Sequence, residues 1–169
     1  MKTALRAGFG ALLLFLAADM AIAASDDLSE PSPADHQAVQ ECLEASRGAE
    51  TLKIAADCIG VVANPCLDVP DNQTTYGMAS CLQREERIWD SLLNDWYGSA
   101  RQYFSADLKR QFRDVQRAWI AWRDAKCGFE HAKYEGGTLG TVTGASCMLE
   151  TTGARALELR SLVVEYESR

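Results

Sequence analysis

The stretch "QRAWIAWRDAKCGFEH", residues 116–131, carries an acid, a thiol and an imidazole at Asp124, Cys127 and His131. On a helix these positions are i, i+3 and i+7, so the three groups share a face and have the chemistry of a nucleophile with its base, or of a metal site. Whether Cys127 is a thiol at all depends on the compartment, because exported chains oxidise paired cysteines. The N-terminus bears on that point. "MKTALRAGFGALLLFLAADMAIAAS" places Lys2 and Arg6 before an uncharged, mostly apolar run from Ala7 to Ala18 and closes on Ala21-Ile22-Ala23. This is the pattern of a secretory signal peptide over residues 1–23, the run being too short for a spanning helix of roughly 20 residues. A periplasmic or secreted product is expected, without stable membrane insertion. The first cysteine is Cys42, so no lipid anchor is expected at the new N-terminus.

Cleavage after Ala23 removes Lys2, Arg6 and Asp19, taking 17 basic and 24 acidic residues to 15 and 23, a net charge of −8. A chain this acidic does not suit phosphate contacts with nucleic acid, and it does suit a cationic protein partner. Six cysteines, at 42, 58, 66, 81, 127 and 147, all follow the leader. There is no CxxC, and neither His36 nor His131 stands at zinc-ligand spacing from a cysteine pair. No metal or cofactor is therefore expected, and disulfides are. Six cysteines allow 15 connectivities. Pairing of sequence neighbours, Cys42 with Cys58, Cys66 with Cys81 and Cys127 with Cys147, is the expectation, since each pair joins adjacent segments. The opening triad then loses its nucleophile.

The elements that position these residues read as helices throughout. A leader over 24–31 gives way at "SPAD", where Ser32 caps, Pro33 takes the first helical position and Asp35 completes a capping box. A first helix stopping at Gly48 and a second from Ala49 to Ile59 form an N-terminal helical pair over 32–64. "VVANPCLDVPDNQTTYG" reads as a loop pinned by Cys66. A long helix is predicted from Thr75 to Tyr97, with Met78, Leu82, Trp89, Leu92, Leu93 and Trp96 at intervals of three and four. A second runs from Ala106, capped by Ser105, to Tyr134, with Leu108, Phe112, Val115, Trp119, Trp122 and Phe129 on its core stripe. "EGGTLGTVTG", 135–144, reads as a glycine loop, and the last helix as Ala145 to Glu167. The fold class is all-α: a disulfide-stapled bundle of three long helices with a short N-terminal helical pair.

Two charges interrupt the apolar stripes, Glu85 and Arg155. Buried singly, either would cost several kcal/mol, on the order of a buried ion's desolvation, so they are expected to face each other or other polar residues nearby, in a structural polar cluster with Gln116, Arg123 and Asp124. A carboxylate pair for acid–base work needs a cleft that a slim bundle rarely makes, so a structural role is preferred. The glycine loop lacks the Lys of a phosphate cradle.

Five blocks, "GMASC", "WDSLLNDWY", "QRAWIAWRDAKC", "EGG" and "C" followed by "TTGARALEL", resemble in this order and spacing the lysozyme inhibitor LprI-like N-terminal domain family. The resemblance covers roughly Cys66 to Leu159 and marks 65–169 as an LprI-like helical domain. It implies a small exported helical domain with paired cysteines and, for the namesake activity, inhibition of lysozyme. This chain lacks a lipid-anchor cysteine and adds Cys42 and Cys58 upstream. The function expected is an acidic binding protein, not an enzyme, blocking a cationic muramidase such as lysozyme. Its candidate contact residues are Gly136, Gly137, Thr138, Leu139 and Thr141, on a loop that a Cys127–Cys147 bridge would stiffen. The alternative is a structural or accessory periplasmic protein that binds another envelope component without inhibition.

Overall fold

Local signals at the chain's turns settle where its helices begin. A computed structural model describes residues 27–46 and 56–169, and the expected signal peptide, the first three residues of the leader and most of the expected second short helix lie outside them. Helix α1 spans Pro33–Ala45, opened by the Ser32–Asp35 capping box with Pro33 in the first turn; it closes on Ser46. The segment expected as a loop pinned by Cys66 instead contains a short helix, α2 (Ala63–Leu67), and a 3-10 turn at Pro70–Asn72. Asn72 Nδ2 donates to the Cys66 carbonyl at 2.8 Å and Gln73 Nε2 to that of Leu67, so side chains satisfy the carbonyls at the end of α2.

Helix α3 spans Thr75–Gln102, α4 spans Ala106–Ala132 and α5 spans Thr138–Glu167. Thr74 caps α3 by accepting from Gly77 N, and Ser105 caps α4 by accepting from Leu108 N. Helix α3 runs through Gly98 to Gln102, beyond the expected end at Tyr97. Gly98 faces open space, and the roughly 1 kcal/mol a mid-helix glycine costs is offset by the turn it carries, where Ala100 is fully buried.

Helix α5 starts seven residues before the expected Ala145, and the connection from α4 shrinks to residues 133–137. Of the glycines read as loop residues, Gly140 and Gly144 are helical, and they set the distance between helices. A Cβ on Gly140 would lie 2.5 Å from the His131 carbonyl oxygen, and one on Gly144 would lie 3.2 Å from His131 Cβ. Small residues on this face let α4 and α5 approach closely beside their disulfide.

Helix α5 is the central element, packed along α3 on one side and against α4 on another. Trp89, Ile88, Leu159 and Val39 are fully buried where α1, α3 and α5 meet. The three bridges are Cys42–Cys58, Cys66–Cys81 and Cys127–Cys147, the neighbour pairing. They tie α1 to the turn before α2, α2 to α3, and α4 to α5. Among the described residues no helix is long and apolar enough to cross a membrane.

The apolar stripe assigned to α4 divides in the folded chain. Phe112 and Trp119 pack against the core, whereas Leu108, Val115, Trp122 and Phe129 face solvent. Of the whole helix only Gln116 and Cys127 are buried.

Candidate functional site

The residues singled out for chemistry separate into three places, and Glu85 and Arg155 do not face each other; each finds other partners. Glu85 is fully buried, and its carboxylate is turned toward the chain ahead of α2. Its Oε1 accepts from Gly60 N at 2.7 Å and from Trp89 Nε1 at 2.8 Å. Its Oε2 accepts from Val62 N at 2.8 Å and Ala63 N at 2.7 Å. The side chain thus takes up the backbone donors at the start of α2, a tertiary cap supplied from another helix. Gly60 takes φ 105°, a conformation that side chains disfavour, to aim its N–H there. The charge on the stripe is compensated by backbone N–H groups, so no cation is required.

Arg155 lies on the other side of α5, at the groove toward α4. Its Nε and Nη2 donate to Gln116 Oε1, both at 3.1 Å, and its Nη1 to Glu158 at 2.6 Å. Arg123 donates from Nε and Nη2 to its neighbour Asp124 at 3.0 and 2.9 Å, and from Nη1 to Thr152 Oγ1 at 3.4 Å. Both guanidinium carbons approach the Trp119 ring, at 5.3 Å for Arg123 and 5.8 Å for Arg155. Gln116, Trp119, Arg123, Asp124 and Arg155 form a joint between α4 and α5 held by cation–π contact and charged hydrogen bonds. Glu85 is no part of it.

Glu86, which the sequence reading did not single out, completes this joint from α3. Thr152 Oγ1 donates to its carboxyl at 3.3 Å. Burial raises its pKa above the ordinary glutamate value, and Asp90 adds to the shift; the Thr152 bond and then Arg123 and Arg87 oppose it. The signal was available in sequence, since Glu86 stands one residue from the intruder on the stripe. It also stands on the wall of an open groove of ≈ 650 Å³ shared with Asp124, Cys127, His131 and Met148. The opening triad therefore meets along one groove, but Cys127 is a disulfide sulfur with no nucleophile to offer. Among the described residues no group of His, Cys, Asp and Glu is placed to hold a metal ion.

The remaining candidates gather at the tip where α4 turns into α5. Gly136, Gly137, Thr138, Leu139 and Thr141 are all exposed, the first two in the turn and the others in the first turn of α5. The expected ten-residue loop is a five-residue turn because the glycine-spaced segment after it is helical. Glu135 holds φ 51° and Gly136 φ 78°. Lys133 pairs with Glu130 at the end of α4, and that bond holds its pKa above the ordinary lysine value. Thr143 Oγ1 donates to the carbonyls of Gly140 at 3.2 Å and Glu130 at 3.3 Å, fixing the second turn of α5 onto α4.

This arrangement, a disulfide-closed helical hairpin with its joint and its tip, lies for the most part within the span that matches a family model, together with α3. The match is to Lysozyme inhibitor LprI over residues 66–159. The chain belongs to the LprI lysozyme-inhibitor family. The matched span begins at Cys66, takes in the Cys66–Cys81 and Cys127–Cys147 bridges and ends at the buried Leu159. Helix α1 and the Cys42–Cys58 bridge precede it. No curated protein and no solved structure matches the chain. The family is one of inhibitors, and inhibition is a binding function.

Proposed function

We propose that this protein is exported, after cleavage behind Ala23, and binds a cationic muramidase so as to block its cleft with the tip at 135–141. The observation that carries the reading is the family match over the disulfide-closed hairpin whose turn is this tip. Three further features support it. The bridge and the Gly140 contact hold the tip's base, so little ordering remains to be done on binding. Glu135 occupies a left-handed conformation in which a non-glycine residue costs about 1–2 kcal/mol. That turn places an exposed carboxylate at the tip. The net charge of −7 over the whole sequence speeds encounter with a cationic enzyme.

The tip reading is tested by replacing Thr138, Leu139 and Thr141 together with Ala, and separately by Glu135→Gly, in an assay of lysozyme clearing a suspension of cell walls. The triple variant should fold as the parent does and lose inhibition. Glu135→Gly should keep or raise the melting temperature while weakening inhibition, because it relieves the backbone and removes the charge. If both variants inhibit as the parent does, the contact surface lies on the helices. If the parent itself leaves clearing unchanged, the alternative of an accessory envelope protein without inhibition takes its place.

A further inference from the structure

Helices α3 and α4 each pack along α5 and far less on each other, and a pocket of ≈ 220 Å³ remains between them. Stacking of Tyr97 on Phe112, with ring centres 4.9 Å apart, closes it toward the turn that joins the two helices. Arg123 Nη1, 4.0 Å from Asp90 Oδ1, bounds the other end. The α4 wall carries Arg113, Gln116, Arg117 and Arg123, and the α3 wall Asp90 and Asn94. Three guanidinium groups against one carboxylate reverse the balance of a chain that carries −7.

The donors on this lining exceed what the protein itself uses. Arg117 makes no hydrogen bond, ion pair or ring contact among the described residues. Gln116 is only 7% exposed, and Arg155 donates to its Oε1 from both Nε and Nη2. Those bonds fix the amide: its oxygen faces Arg155, its NH2 group faces away, and no protein acceptor meets that group. Among the described residues no side-chain nitrogen or oxygen is sealed without a partner, so this NH2 reaches open space, and the space that Gln116 borders is the pocket. Arg113 gives Nε and Nη2 to Asp114 and keeps Nη1. Arg123 gives the same two atoms to Asp124 and one N–H of Nη1 to Thr152. Neither Asp114 nor Asp124 is on the lining. Asp90 is, but its carboxylate accepts from Asn94 Nδ2 at 3.1 Å and faces Arg123. What remains in the pocket is a set of N–H groups and the unopposed charge of Arg117.

We infer that this pocket binds a phosphoryl group, free or at the end of a phosphate ester. An oxyanion is the complement of a lining that has donors to spare and its one carboxylate engaged. The guanidinium fork meets the oxygens of phosphate or carboxylate two at a time. Here the donors come from four side chains of α4, and phosphate offers them three or more oxygens and a charge of about −1.5 to −2 where a carboxylate offers two oxygens and a single charge. The volume lies below the range of about 300–1,000 Å³ for sites that enclose a whole small molecule, which suits one ionic group. The field of an acidic chain opposes any anion, so binding is weak, with a dissociation constant on the order of millimolar. Arg117 stands about 24 Å along α4 from the turn at 133–137, so the site is separate from the tip.

The test is a titration of the purified protein, bridges intact, with sodium phosphate at about pH 7, against sodium chloride and sodium acetate at equal ionic strength. The readout is proton–nitrogen NMR of the backbone amides and of the Gln116 NH2 group. The Gln116 NH2 and the amides around Arg117 should move saturably with phosphate, with a midpoint on the order of millimolar, and little with chloride or acetate. Glycerol 3-phosphate separates the two sources: tighter binding than inorganic phosphate assigns the site to an ester, and equal or weaker binding assigns it to the free ion. Arg117→Gln should weaken binding by about tenfold or more and leave the melting temperature unchanged, since Arg117 holds no partner in the fold. Gln116→Glu, which keeps an acceptor for Arg155 and sets a carboxylate at the pocket, should abolish binding. Signals that follow ionic strength alone overturn the inference. So does acetate acting as strongly as phosphate, or an Arg117→Gln protein that binds phosphate as the parent does.

Discussion

Replacing Glu85 with Gln is a change of one atom that the geometry forbids from being silent. Each carboxylate oxygen serves two donors, Gly60 N and Trp89 Nε1 on one and Val62 N and Ala63 N on the other. Whichever way the amide is turned, its NH2 group faces two N–H donors and two bonds are lost. A buried donor left without a partner costs about 1–3 kcal/mol, so Glu85→Gln should destabilise by about 3 kcal/mol or more. For a chain of this size that lowers the melting temperature by roughly 6–12 °C. Glu85→Ala, which removes all the acceptors, should cost more still. Glu85→Asp, one methylene shorter, should fall between the parent and Ala. The measurement is thermal unfolding followed by circular dichroism, with chemical denaturation as a check that the transition stays cooperative. Arg155→Ala is the control, since Arg155 bonds Gln116 and Glu158 and not Glu85; its loss should stay below that of Glu85→Gln. A Glu85→Gln protein melting within about one degree of the parent would refute the assignment of this side chain as the cap of α2.

Two glycines give opposite results with the same substitution. Gly140→Ala forces a methyl to 2.5 Å from the His131 carbonyl and should destabilise by about 1–3 kcal/mol, whereas Gly98→Ala, open on every side, should stabilise by up to about 1 kcal/mol in the same melting experiment. Glu86 gives a pH signature. Burial raises its folded-state pKa above the ordinary 4.5, so its contribution is fully present below that value and is lost as pH rises through the raised one. The parent should therefore gain stability relative to Glu86→Gln as pH is lowered from neutral toward 4.5, and a difference that stays flat across that window would remove Glu86 from the joint.

Helix starts were legible because they depend on neighbours in sequence: Ser32 with Asp35, and Ser105 ahead of Leu108, act within one turn. The bridges were legible for a related reason, each joining segments adjacent in the chain. What Glu85 does was not legible. Its charge stands out on an apolar stripe, but its partners are backbone N–H groups more than twenty residues away, and a sequence does not display backbone donors. The α4 stripe misled because its inward residues, Phe112 and Trp119, adjoin its outward ones, Leu108, Val115, Trp122 and Phe129, around the helix, so a period of three to four cannot separate them. The start of α5 was missed because glycines at 140 and 144 have two physical uses, chain reversal and close helix packing, and only the position of His131 decides between them.

Inhibition of lysozyme is tested most directly by one titration. Purified protein, with its bridges closed, is added in increasing amounts to lysozyme acting on cell walls, and the initial clearing rate is recorded at low and at high salt. Family membership and the acidic charge together predict a rate that falls toward zero as the protein approaches equivalence with the enzyme, with a weaker effect at high salt, where the steering is screened. A clearing rate unchanged in large excess of the protein at low salt would contradict the account.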